Sequence, residues 1–141
     1  EQMVALAALM PMVASMGGNA GTQTMTVTVR ALAARDLDRG RVRRLITREV
    51  TGGFLNGCIF AVLIGAVTWL RYASPSLGIV IGLAMIINMV AAGSAGILIP
   101  LALNKLKVDP AIASSVFVTT VTDVIGFFAF LGLAGLWFGL F

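Results

Sequence analysis

The chain has 141 residues, of which 59% are hydrophobic and 11% charged, with a mean hydropathy of +1.00. Soluble domains carry about 25% charged residues, so this composition excludes an ordinary soluble domain and marks an integral membrane protein. A net charge of +4 with no histidine and a single cysteine excludes imidazole-based metal or acid–base sites and any intrachain disulfide.

Four apolar segments cover 2–34, 50–70, 77–103 and 111–140. Each exceeds the roughly 20 residues needed to cross a hydrocarbon core about 30 Å thick. The expected fold is therefore all-α and membrane-spanning, with helices over 2–34, 45–71, 77–104 and 110–140. The first segment lacks a basic leader and is too long for a signal peptide. The chain opens at Glu1 directly before an apolar run, which reads as a piece of a longer protein.

That first segment is interrupted by Gly17-Gly18-Asn19-Ala20-Gly21. Glycine costs about 1 kcal/mol relative to alanine inside a helix, so the helix is expected to break there. Irregular backbone at membrane depth is tolerated only where protein or a water-filled cavity covers it. Pro11 precedes the break and can add a kink, while Thr22, Gln23, Thr24, Thr26 and Thr28 give the helix a polar, wet face.

Asp36 and Asp38 can cap a basic stretch at 39–48 that leads into the second segment. There Gly53 and Gly57 form a small-xxx-small pair suited to close helix packing, and Cys58 reads as a small packing residue. Asn56 and Asn88, single amides in the second and third segments, read as interhelical hydrogen-bonding groups. The third segment is expected to end near Pro100, and Asp109-Pro110 opens the last helix as cap and first turn.

Seven of the ten Lys and Arg residues fall between Arg30 and Arg48, and Lys105 and Lys107 occupy the 104–110 connection. The positive-inside rule then puts the 35–49 and 104–110 connections in the cytoplasm and both termini outside. The basic cluster reads as orientation plus contact with anionic lipid headgroups, with no nucleic acid implied. Paired acid and base groups, a Ser-His pair and a phosphate-binding Gly-x-x-x-x-Gly-Lys loop are all missing from the sequence, so no enzyme is expected.

Asp123 is the only charged residue in the 111–141 run. A charge at bilayer depth costs at least about 2.5 kcal/mol and is a functional-site hypothesis by default. Its balance must come from a second copy, a segment outside this sequence or a bound cation. Ser115, Thr119, Thr122, Asp123 and Gly126 recur at spacings of three and four and are expected to form one stripe. Asp123 lies about 20 Å along its helix from Pro110, and Asn19 about 16 Å from Arg30, at 1.5 Å per residue. Both are thus near the midplane. Two carboxylates around a twofold axis would match one divalent ion held through its waters.

The run from Pro11 through Gly17-Gly18-Asn19-Ala20-Gly21-Thr22-Gln23, followed by Arg30, resembles the glycine-rich signature of the MgtE magnesium channels. The segment Val108-Asp109-Pro110-Ala111, continuing through Thr119 and Asp123 to Gly126, is similar to that family's last helix. The eukaryotic solute-carrier magnesium transporters share this core.

The resemblance implies a homodimer with a central pore lined by the glycine-broken helix and the last helix. Asp123 matches the family's selectivity aspartate, and Thr119 and Gly126 match positions that offer backbone carbonyls to the ion. Ser115 and Thr122 would line the pore from the last helix, and Gly18, Asn19, Gly21 and Gln23 from the first. Ser115 stands where some relatives carry Asn. Family members have five spanning helices, so one is expected upstream, together with cytoplasmic magnesium-sensing domains. The implied activity is channel-like Mg2+ movement across the plasma (inner) membrane, with Mn2+, Co2+ and Ni2+ as other ions an oxygen-lined site could take. A proton- or Na+-coupled carrier using Asp123, and a non-transporting dimerisation module, are the competing readings.

Overall fold

A computed structural model describes residues 2–35 and 37–139, without the side chain of Gln2. It consists of four helices: α1 (Gln2–Ala33), α2 (Arg39–Tyr72), α3 (Pro75–Lys105) and α4 (Pro110–Phe138). All four are long and apolar enough to cross a membrane. At 1.5 Å per residue the 34 residues of α2 span about 51 Å, well beyond the hydrocarbon core. The excess is its basic first part. The expected 39–48 stretch and the second apolar segment are thus one continuous helix.

Local chemistry sets the ends. Asp38 caps α2 by accepting from the Arg41 amide at 2.7 Å, and Asp109 caps α4 by accepting from Ala111 at 2.9 Å. The expected second cap, Asp36, lies outside the described residues. Ser74 caps α3 through the Leu77 amide at 3.3 Å, which leaves only Ala73 and Ser74 between α2 and α3.

Two expectations about breaks are corrected. The glycine run does not interrupt α1, which is helical throughout Gln2–Ala33. At membrane depth a freed carbonyl has no water to bond, so the helical ladder is retained. The glycines serve close packing instead. Pro100, near which the apolar segment is expected to end, is instead buried inside the helix, which runs on to Lys105, in keeping with the 77–104 bounds. Protein packed around a proline makes such a site tolerable in a membrane helix.

α3 is the hub. It packs against α1, α2 and α4, and α1 also packs on α4, while α1 and α2 scarcely meet. The α2–α3 contact is an antiparallel seam of small residues. A Cβ added at Gly53 would lie 2.6 Å from the Met89 carbonyl oxygen, and one at Gly57 2.9 Å from the Ile86 Cα. Further along, Gly65 and Gly78 face each other so closely that a Cβ on either would meet the other's carbonyl oxygen, at 2.9 and 2.7 Å. Backbones this near gain dispersion contacts that lipid cannot supply.

The apolar core lies toward the start of α1, where Leu6, Leu9 and Val13 meet Val80, Ile81 and Met85 of α3 and Phe130 of α4. Apart from Thr68, the buried polar side chains gather elsewhere: Thr24, Thr28, Asn88, Ser114 and Thr122. The fold therefore has a dry end and a polar end, and the candidate site sits where they meet.

Candidate functional site

α4 carries two neighbouring seams at i, i+4 spacing. Ser114, Val118, Thr122, Gly126, Phe130 and Ala134 are buried against the other helices, whereas Ser115, Thr119 and Asp123, each one position further on, are exposed. The single stripe expected from spacing is thus split. Successive residues on a helix point in different directions, so Thr122 faces inward and Asp123 outward. Thr122 and Gly126 hold α4 against its neighbours; Ser115, Thr119 and Asp123 form the outer polar strip.

The glycine run of α1 meets this helix directly. A Cβ at Gly18 would lie 3.8 Å from Thr122 Oγ1 and 4.0 Å from Thr119 Cγ2, and one at Gly21 only 2.7 Å from Val118 Cγ1. Asn19, Thr22 and Thr26 are exposed on α1, and their spacing puts them on one face. Because Gly18 abuts Thr119, that α1 face borders the α4 strip. Two polar strips from distant parts of the sequence are thus brought side by side.

The threonine hydroxyls of the two strips have their donors engaged. Thr22 donates to the Gly18 carbonyl at 2.8 Å, Thr26 to the Thr22 carbonyl at 2.8 Å, and Thr119 to the Ser115 carbonyl at 2.9 Å. Thr122 donates to the Thr119 carbonyl at 3.0 Å. A threonine whose hydrogen is used inside its own helix still offers oxygen lone pairs outward. The strip therefore presents acceptors, the complement of a cation's water shell. Among the described residues Asp123 has neither a hydrogen bond nor an ion pair.

Gln23 is exposed but belongs to a different flank. With Thr24, Glu49 and Asn56 it lines a cleft of about 330 Å³ between α1 and α2, floored by Met89 and Gly93 of α3. There Thr24 Oγ1 donates to Glu49 Oε2 at 2.9 Å, and Arg48 pairs with Glu49 Oε1 at 3.0 Å. Glu49 escapes the sequence reading because it stands at the boundary between the basic stretch and the apolar segment. Its one visible signal is that it is the sole acid between Asp38 and Asp109.

Asn88 does make the expected interhelical bond. It is 1% exposed, and its Nδ2 donates to the Val13 carbonyl of α1 at 2.7 Å. Asn56, by contrast, is exposed on the cleft without a hydrogen bond among the described residues.

Residues 10–133 match the family profile MgtE, described as a divalent cation transporter. The chain is 37% identical over 134 residues to the magnesium transporter MgtE of Bacillus subtilis, covering 95% of this chain. It is 36% identical over 136 residues to the Enterococcus faecalis protein of that name, and 37% identical over 137 residues to the one from Thermus thermophilus, covering 96% of this chain in each case. It spans about 30% of the length of each of these relatives. With the profile match extending over most of its length, the chain belongs to the MgtE family of divalent cation transporters.

Proposed function

We propose that this chain forms the ion pathway of a magnesium transporter, in which two copies meet about a twofold axis and Mg2+ passes between their Asp123 carboxylates in channel fashion, still carrying its waters. The observation that carries this reading is the exposed Asp123, without a partner among the described residues, at the head of the Ser115–Thr119 strip. A lone carboxylate facing lipid costs a few kcal/mol. No Lys or Arg lies within 111–141 to offset it. A second copy doubles the negative charge, and a divalent cation balances the pair.

Chemistry supports magnesium as cargo. Mg2+ gives up its water shell reluctantly, so a path for it needs outward acceptors more than a tight cage. Thr22, Thr26 and Thr119 supply such acceptors, and among the described residues no group of three or more His, Cys, Asp and Glu could strip and hold the ion. The named relatives are magnesium transporters. In this reading the path runs through the plasma membrane with the 35–49 and 104–110 connections on the cytoplasmic side, following their Arg and Lys content. Oxygen donors discriminate weakly among hard divalent ions, so Mn2+, Co2+ and Ni2+ compete for the path.

The test is Mg2+ uptake into liposomes by the full-length protein carrying Asp123→Ala. Uptake is expected to vanish while the dimer keeps its mass in detergent. Uptake at the unaltered rate would overturn the assignment. Wild-type uptake that collapses when the proton or Na+ gradient is removed would favour a coupled carrier.

A further inference from the structure

We propose that Asn88 is a positioning residue for the ion path: its amide, wedged between Gly17 of α1 and Gly126 of α4, fixes the spacing of the two helices that carry Asn19 and Asp123. The role rests on the path reading above.

Room for this amide is made on both sides by glycine. A Cβ added at Gly17 would run into Asn88 Nδ2, and one at Gly126 would lie 2.8 Å from the same atom. Gly17 stands two residues before Asn19, and Gly126 three residues after Asp123. Any shift of the Asn88 side chain is therefore felt on both helices, next to the two polar strips. Asn88 itself projects from α3, the hub, whose other side is locked to α2 where Gly53 abuts the Met89 carbonyl. The amide thus works from a fixed strut.

Filling space does not account for asparagine here. Its neighbours on α3, Ile81, Ala84, Met85 and Ala92, are fully buried apolar residues, and leucine has the branched shape and side-chain heavy-atom count of asparagine in a bulkier, wholly apolar form. Asn88 uses Nδ2 to bond the Val13 carbonyl, yet Oδ1 is buried without a hydrogen-bond partner. A buried acceptor left unsatisfied is destabilising. The chain retains a group that weakens its core at a junction shared by α1, α3 and α4. A directional bond to α1 is what the amide provides and leucine does not.

The experiment uses the full-length protein in liposomes with Cys58→Ser and spin labels at Val27 and Ile112, exposed sites on α1 and α4 away from the polar strips. Asn88→Leu is expected to lower the melting temperature modestly, because the bulkier side chain presses on the backbone at Gly17 and Gly126. It should also alter the label separation and shift the half-maximal Mg2+ concentration by about ten-fold, the worth of one displaced polar contact. Gly126→Ala, which pushes on the amide from the other side, is expected to alter the same separation and concentration, and it decides the matter if Asn88→Leu does not fold. Unchanged separation and unchanged Mg2+ dependence in the variant that folds overturns the proposal. Asp123→Asn is measured alongside. If that variant conducts normally the path reading falls, while the label separation still decides whether Asn88 holds the two helices.

Discussion

Thr24 of α1 donates to the Glu49 carboxylate of α2 at 2.9 Å, across the flank where these two helices scarcely meet. The bond ties together helices that have little other direct contact, and Arg48 holds the far oxygen of the same carboxylate. Interhelical polar contacts in membranes average about 0.6 kcal/mol and reach about 1.7 kcal/mol. A double-mutant cycle with Thr24→Val and Glu49→Gln, read by thermal unfolding in detergent, is expected to return a coupling within that range. A coupling indistinguishable from zero would show that α1 and α2 are held solely through α3.

The glycine contacts predict opposite outcomes for one substitution. At Gly53 a Cβ meets the Met89 carbonyl oxygen at 2.6 Å, and backbone cannot yield as a side chain can. Gly53→Ala is expected to destabilise by about 1–3 kcal/mol. At Gly132 nothing lies within 4 Å of an added Cβ. Gly132→Ala is therefore expected to be neutral or to stabilise by up to about 1 kcal/mol. Melting temperatures of the two variants, compared in one detergent, check the contrast.

Most of the architecture was legible in the residues. Hydropathy located four spans, and Asp38 and Asp109 announced two helix starts that the structure has. The glycine run and Pro100 misled for a shared reason: propensity measured in water overstates the weakness of a helix whose backbone has no water to turn to. Gly17, Gly18 and Gly21 owe their place to packing against Asn88, Thr122 and Val118, which is a tertiary fact that no window of sequence contains. The candidate site was legible by type and spacing but not by direction. Spacings of three and four group Thr119, Thr122 and Asp123 together, and only the packing of α4 separates inward Thr122 from outward Asp123. Glu49 shows in the sequence only as a lone acid, and nothing there points to its partner Thr24, which lies 25 residues away.

The split seam predicts different consequences for two threonines one turn apart. Thr119→Val removes an exposed acceptor from the strip and is expected to slow Mg2+ flux about five-fold, the worth of one hydrogen bond of about 1 kcal/mol, with little change in stability. Thr122→Leu overfills a buried contact beside Gly18 and Gly21 and is expected to cost about 1–3 kcal/mol of stability. Flux in liposomes and unfolding in detergent, measured on both variants, separate the two effects.

Anomalous X-ray scattering from a crystal of the full-length protein soaked in Mn2+ tests the central claim most directly. The account predicts a peak on a twofold axis between two copies of α4, about 4 Å from each Asp123 carboxylate, the separation expected when one shell of water lies between. Two Asp123 side chains turned away from each other toward lipid, with manganese bound elsewhere, would contradict it.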